Sequence, residues 1–139
     1  MLFRSYNVVI IYNGSGATNA DRLKIYLNGT DLSLTFTGTI PTNTGTLDGS
    51  TFRIGQRYIN SDYFLGNIDE ASIFDYALTQ QNVTDIYNLG TPTDLSLLAT
   101  PPTNWYRFEE GSGTTATDSG SGGNNGTLIN GVAYSTNVP

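Results

Sequence analysis

The sequence predicts an all-β fold, an antiparallel β-sandwich with one short α-helix, and three observations carry that prediction. Apolar and polar residues alternate with a period of two in several short runs. Gly, Thr, Ser and Asn fill much of the remainder, as short strands joined by many turns require. Only one segment, Thr79 to Leu89, carries helix signals. With 139 residues the chain has room for one packed core.

Taken in order, Tyr6 to Tyr12 is a near-continuous apolar run and reads as a buried central strand. It lies so close to the N-terminus that it looks like the middle of a domain, and the chain is expected to be a piece of a longer protein. After the turn Asn13-Gly14-Ser15-Gly16, Leu23, Ile25 and Leu27 alternate with Arg22, Lys24 and Tyr26, which predicts a strand burying its Leu/Ile face. Asn28-Gly29 predicts a type I′ hairpin turn, because both central residues of that turn need positive φ, and Leu32, Leu34 and Phe36 resume on its far side. Phe52 to Gly55 and Phe64 to Phe74 read as further strands with Ile68 and Ile73 pointing inward; the odd spacing of those two implies a bulge or a bend. In the helix, Thr79 is the cap, Leu78 and Val83 form a hydrophobic staple, Gly90 is the stop, and Val83, Ile86 and Tyr87 pack it down. Residues 91–103, with Pro92, Pro101 and Pro102, read as a linker. Trp105 to Glu109 is strand-like, Gly111 to Asn125 is a polar loop, and Gly126 to Val132 makes a last strand or hairpin.

Composition removes several functions. The net charge of −6 and six scattered Lys and Arg argue against nucleic acid as a partner. Cysteine is absent, so disulfides and thiolate metal sites are excluded; histidine is absent as well, which leaves any catalysis to carboxylates and any metal to a hard, oxygen-liking ion. No stretch is apolar and long enough to insert in a membrane as a helix.

Phe64-Leu65-Gly66-Asn67-Ile68-Asp69-Glu70-Ala71-Ser72-Ile73-Phe74-Asp75-Tyr76-Ala77-Leu78-Thr79, followed by Val83-Thr84-Asp85-Ile86-Tyr87, closely resembles the closing motif of laminin-G-like domains of the concanavalin A-like jelly-roll class. Val8 to Gly14, Leu23 to Gly29 and Phe52 to Gly55 resemble three earlier strands of the same family, so the resemblance covers most of residues 6–90. Trp105 to Asp118 with Asn125 to Leu128 resembles the opening motif, which places beginning and end in reversed order. Residues 1–90 thus look like the middle and C-terminal portion of a jelly roll. Residues 104–139 either fold back on the same sandwich, as in a circularly permuted domain, or begin a second repeat; the fold-back is the expectation, because the family's first and last strands lie close together. The whole is similar to marine phage and environmental bacterial surface proteins. An extracellular, cell-surface or virion location is what that likeness implies.

The resemblance invites comparison with glucanases of the same fold, whose two carboxylates face the sugar from alternate positions of one strand. Asp69 and Glu70 are adjacent and point to opposite faces, and Asp75 is too far along, so no enzyme is expected. Many family members bind calcium, and Asp69 and Asp118 are the ligand candidates; the alternative is that Asp118 caps its turn and Asp69 satisfies backbone donors. Tyr58, Tyr63 and Tyr76 with Asn60 are candidates for a glycan-binding surface, against ordinary packing of half-buried tyrosines on strands. The expected function is a non-catalytic module binding a glycan or cell-surface polymer. The alternative is a structural virion or surface protein that uses the jelly roll to pack against neighbouring subunits. An aromatic-lined groove would favour the first, and a broad apolar patch or unpaired edge strand the second.

Overall fold

A computed structural model describes residues 5–45, 51–56 and 62–135. Among the described residues seven strands and two α-helices follow in the order β1 (Val8–Tyr12), α1 (Asn19–Arg22), β2 (Leu23–Leu27), β3 (Thr30–Asp31), β4 (Ala71–Ile73), α2 (Gln80–Tyr87), β5 (Asn104–Tyr106), β6 (Thr115–Ala116) and β7 (Gly126–Thr127). All pairings are antiparallel, in a three-stranded sheet β1-β2-β3 and two ribbons, β4-β5 and β6-β7. This is the all-β architecture expected of a concanavalin A-like sandwich, with α2 as its one helix of more than a single turn.

The hairpin turn forms as its sequence dictates. Asn28 and Gly29 have φ of 50° and 75°, the pair of positive values a type I′ turn requires. A side chain at Gly29 would also meet Tyr87, since a Cβ there lies 2.9 Å from the ring. The hairpin tip thus rests against α2. The helix begins at a capping box in which Thr79 accepts from the Asn82 N–H and the Asn82 side chain accepts from the Thr79 N–H. It ends earlier than the sequence suggests: Asn88 at φ 40° is the cap, and Leu89 and Gly90 lie beyond it in a 3-10 turn.

Packing reverses one reading. Val83 is wholly buried against Ile11 and Tyr26, with Val9 and Leu78 at the margin. Thus α2 covers the Val9, Ile11 and Tyr26 face of the sheet, and the expected Leu23, Ile25 and Leu27 face is the half-exposed one. The alternation was real, but Tyr26 supplies a large apolar body on the side where a helix is available to cover it. The first strand is likewise not buried on both faces, because Val8 and Ile10 are exposed.

The segment leading to β4 is strand for only three residues. Glu70 at φ 52° bends it, as the odd spacing of Ile68 and Ile73 implies, and Ile68 is consequently exposed rather than inward. Phe52 and Ile54 are exposed as well, and among the described residues that stretch is joined to the next by the Gln56–Tyr63 bridge and by the Phe64 N–H donating to the Gly55 carbonyl. Beside α1, the side chain of Asn19 donates to the Gly38 carbonyl and accepts from the Ile40 N–H, while Arg22 donates to the Ile40 carbonyl, so that this strand-free stretch is tied down by side chains.

The C-terminal segment pairs with the closing motif: Ala71 stands opposite Tyr106, Ser72 opposite Trp105 and Ile73 opposite Asn104. Leu95, Trp105, Tyr106 and Ala116 are buried. Among the described residues fourteen large apolar side chains are left exposed.

Candidate functional site

Two places concentrate polar chemistry, the β4-β5 joint and a cleft beside α2. At the joint, Asp118 is a buried carboxylate enclosed by donors. Its Oδ1 accepts from the Trp105 and Gly120 N–H groups at 2.8 and 2.9 Å, and its Oδ2 from the Asn104 amide and the Asn124 N–H at 2.6 and 2.8 Å. The Gly/Ser/Asn loop can wrap so tightly because it is short of side chains. A Cβ on Gly120 would sit 2.5 Å from the Thr103 carbonyl oxygen, while the Ser119 and Gly122 N–H groups donate to Trp105 and Thr103 at 2.7 Å each. Burial by itself would raise the Asp118 pKa, but the four donors outweigh it and hold the carboxyl below its ordinary range.

On the other side of the same strand, Glu70 accepts from the Trp105 indole N–H at 2.6 Å and lies 3.7 Å from the Arg107 guanidinium, which itself stands over the Trp105 ring at 5.1 Å. Burial pushes the Glu70 carboxyl up in spite of those partners, and the nearby Asp69 and Glu109 add to the rise. Asp69 is raised too, by burial first and by Glu109, although the Glu70 N–H and Arg107 work against it. Asp69 and Asp118 therefore have different surroundings, one among carboxylates and a guanidinium, the other inside a ring of N–H groups. A calcium ion at Asp118 would have to displace four donors whose positive ends already fill the carboxylate, and this donor set does not suit it.

Of the glycan candidates, Tyr58 and Asn60 lie outside the described residues. Tyr63 is exposed. Tyr76 is half-buried, donates its hydroxyl to the Thr100 carbonyl at 2.8 Å and meets Phe74 edge-on at 5.6 Å. The structure ties Tyr76 to the linker and brings no aromatic partner to Tyr63 among the described residues.

The cleft was not foreseen. It holds about 360 Å³ between the helix-covered face of the sheet and the start of α2. Ile11, Tyr26, Ala77 and Leu78 make its apolar wall; Asn13, Asp21, Lys24, Asp31 and Gln80 bring polar groups to it. Register explains the gathering. Ile11 stands opposite Lys24 and Tyr26 opposite Asp31, so all four side chains share one face, and the turns after β1 and before α2 add the rest. Asp21 is kept ionised by its bonds from the Thr18 hydroxyl and N–H, which hold its pKa down. A carboxyl held ionised in this way is the opposite of the proton-bearing acid a glycosidase needs. The carboxylates with raised pKa lie at the β4-β5 joint and do not line this cleft. What the arrangement can do is accept and donate hydrogen bonds around a small polar ligand.

No curated protein and no solved structure matches the chain. A family model does: that of the concanavalin A-like lectin/glucanases superfamily matches residues 4–84, which run from before β1 into α2 and make up more than half of the chain. The C-terminal segment that pairs with β4 lies outside the match. On sequence and architecture together, the chain belongs to the concanavalin A-like lectin/glucanase superfamily, as a laminin-G-like domain.

Proposed function

We propose that this domain is a non-catalytic binding module for a glycan or a cell-surface polymer, working outside the cell or on a cell or virion surface. The observation that carries the reading is the cleft beside α2. Its volume of about 360 Å³ falls at the small end of ligand sites, with an apolar wall and a few convergent polar groups. Asn13, Lys24, Asp31 and Gln80 offer an amide, an ammonium, a carboxylate and a second amide, the set that hydroxyl-rich ligands use. Tyr26 is buried and serves as support rather than as an exposed stacking platform, so recognition would rest on hydrogen bonds. Such sites are shallow and weak, and multivalency supplies the avidity.

The test is a glycan-array screen of the full chain, followed by titration calorimetry of each hit against wild type, Lys24→Ala and Asp31→Asn, in calcium and in EDTA. The expected result is a hit whose affinity falls about tenfold in each variant, the loss of one charged hydrogen bond. Hits that survive both substitutions unchanged would move the site elsewhere. No binding to any glycan or surface polymer would remove the reading.

A further inference from the structure

Four Asn-Gly dipeptides occur in the chain, at Asn13, Asn28, Asn125 and Asn130. In each, the glycine brings no side chain that would shield its backbone nitrogen from the preceding amide, so the fold decides which pair can react. Three are locked. The Asn13 Oδ1 accepts from the Ser15 N–H at 3.2 Å and from the Ser15 hydroxyl at 2.7 Å, the Asn28 Oδ1 from the Asn7 N–H at 2.9 Å, and the Asn125 Oδ1 from the Asp118 N–H at 3.0 Å. Their glycines are enclosed as well. A Cβ on Gly14 would lie 2.1 Å from the Thr42 carbonyl oxygen, one on Gly29 2.9 Å from the Tyr87 ring, and one on Gly126 3.5 Å from the side chain of Ala116, its partner across β6-β7.

Asn130-Gly131 is the exception. Its φ values of 56° and 80° nearly repeat the 50° and 75° of Asn28-Gly29, so the two pairs make the same kind of turn and differ in their surroundings. Both residues are exposed, a Cβ on Gly131 would meet nothing within 4 Å, and the Asn130 side chain has no partner among the described residues. The turn is closed by the Val132 N–H donating to the Ile129 carbonyl at 3.3 Å, long for a bond of this type. The turn at Asn28 runs on instead into the pairs Leu27-Thr30 and Tyr26-Asp31.

We infer that Asn130 is a site of spontaneous deamidation, in which the Gly131 backbone nitrogen attacks the Asn130 side-chain amide carbon. The peptide must first rotate out of the turn, a local opening that one long bond permits and that the ladder at Asn28 resists. The attacking nitrogen gives its proton to hydroxide and bonds to Cγ. The Cγ–NH2 bond then breaks, ammonia leaves with a proton from water, and a cyclic imide remains. Water opens that ring at either carbonyl. Cleavage between the Gly131 nitrogen and Cγ leaves aspartate; cleavage between that nitrogen and the main-chain carbonyl carbon leaves iso-aspartate, whose main chain runs through the side-chain methylene. Water and hydroxide are the co-reactants, and either product adds one negative charge to the net −6. None of the residues lining the cleft belongs to this turn, so the inference is independent of what the cleft binds.

Incubating the full chain in mildly alkaline buffer made with heavy-oxygen water, followed by peptide mass mapping with fragmentation, tests this. Ring opening takes its oxygen from water, so each converted asparagine carries the label. Label should enter at Asn130 at least about tenfold faster than at Asn13, Asn28 or Asn125, the factor that one retained hydrogen bond supplies. In guanidinium, where turns and ladders are lost, the four should react at similar rates. Asn130→Gly keeps a residue suited to positive φ; it should remove the first acidic isoform seen on anion exchange and leave the circular dichroism unchanged. Equal labelling of the four asparagines in the folded chain overturns the inference, as does earlier labelling at Asn13, Asn28 or Asn125. So does an Asn130 left unlabelled in the folded chain once the guanidinium sample has fully reacted. A native order of rates that persists in guanidinium overturns it too, because the preference would then lie in neighbouring residues and not in the fold.

Discussion

Replacing Asp118 by alanine removes the acceptor for four donors at once and tests whether this carboxylate holds the C-terminal segment to the closing motif. The Trp105 N–H is buried, and the Asn104 amide and Gly120 N–H are half-buried, whereas Asn124 is exposed enough for water to serve it. Counting one fully shielded and two partly shielded orphaned donors, the loss is about 3 kcal/mol, or roughly 10 °C in melting temperature for a domain of this size. Asp118→Asn keeps one carbonyl oxygen, suited to Trp105 and Gly120, but turns an NH2 group toward the Asn104 amide and the Asn124 N–H, so about half of the loss is expected. The single tryptophan, Trp105, reports the event directly, and thermal unfolding followed by its fluorescence is the assay. The depressed pKa adds a sign: the contribution is fully present above the ordinary carboxyl value of 3.8 and is lost as pH falls through the lower folded value. A melting temperature unchanged in Asp118→Ala would refute the reasoning. A rise with calcium in wild type that Asp118→Asn abolishes would refute it differently, by making the residue a metal ligand.

Two further outcomes are expected. Thr79→Ala removes the capping box of α2 and should cost about 1 kcal/mol in denaturant unfolding, while Thr79→Ser should cost little; equal losses would mean that the cap does not hold the helix on the Ile11-Tyr26 core. Glu70→Gln keeps an oxygen for the Trp105 indole and escapes the burial penalty, whereas Glu70→Ala orphans the indole N–H and should melt lower at every pH. Because the Glu70 pKa is raised, the wild-type side chain contributes fully below its ordinary value of 4.5 and loses that contribution as pH rises through the folded value. The stability advantage of the glutamine should therefore be absent in acid and open toward neutral pH; a gap independent of pH would show that burial is not what raises this group.

What could be read in the sequence was local. The Asn28-Gly29 turn, the Thr79 cap, the burial of Val83 and the bend between Ile68 and Ile73 all follow from backbone preferences and spacing over a few residues, and each is found in place. The closing motif also carried enough pattern to indicate the superfamily. Which face of β2 is covered was not legible, because alternation marks Leu23, Ile25 and Leu27 as the apolar face, and only the position of α2 buries Tyr26 on the other, beside Lys24. The cleft was hidden for the same reason: Asn13, Lys24, Asp31 and Gln80 are scattered along the chain and meet only when antiparallel register and the start of the helix bring them together. The saturation of Asp118 depends on a chain that returns it to Asn104, fourteen residues earlier, while the loop that follows turns the Gly120 and Asn124 N–H groups in on it. Alternation and turn chemistry act within a strand or a turn and so determine the elements; contacts between distant segments are chosen by burial and hydrogen-bond satisfaction across the whole chain, and only the tertiary structure decides them.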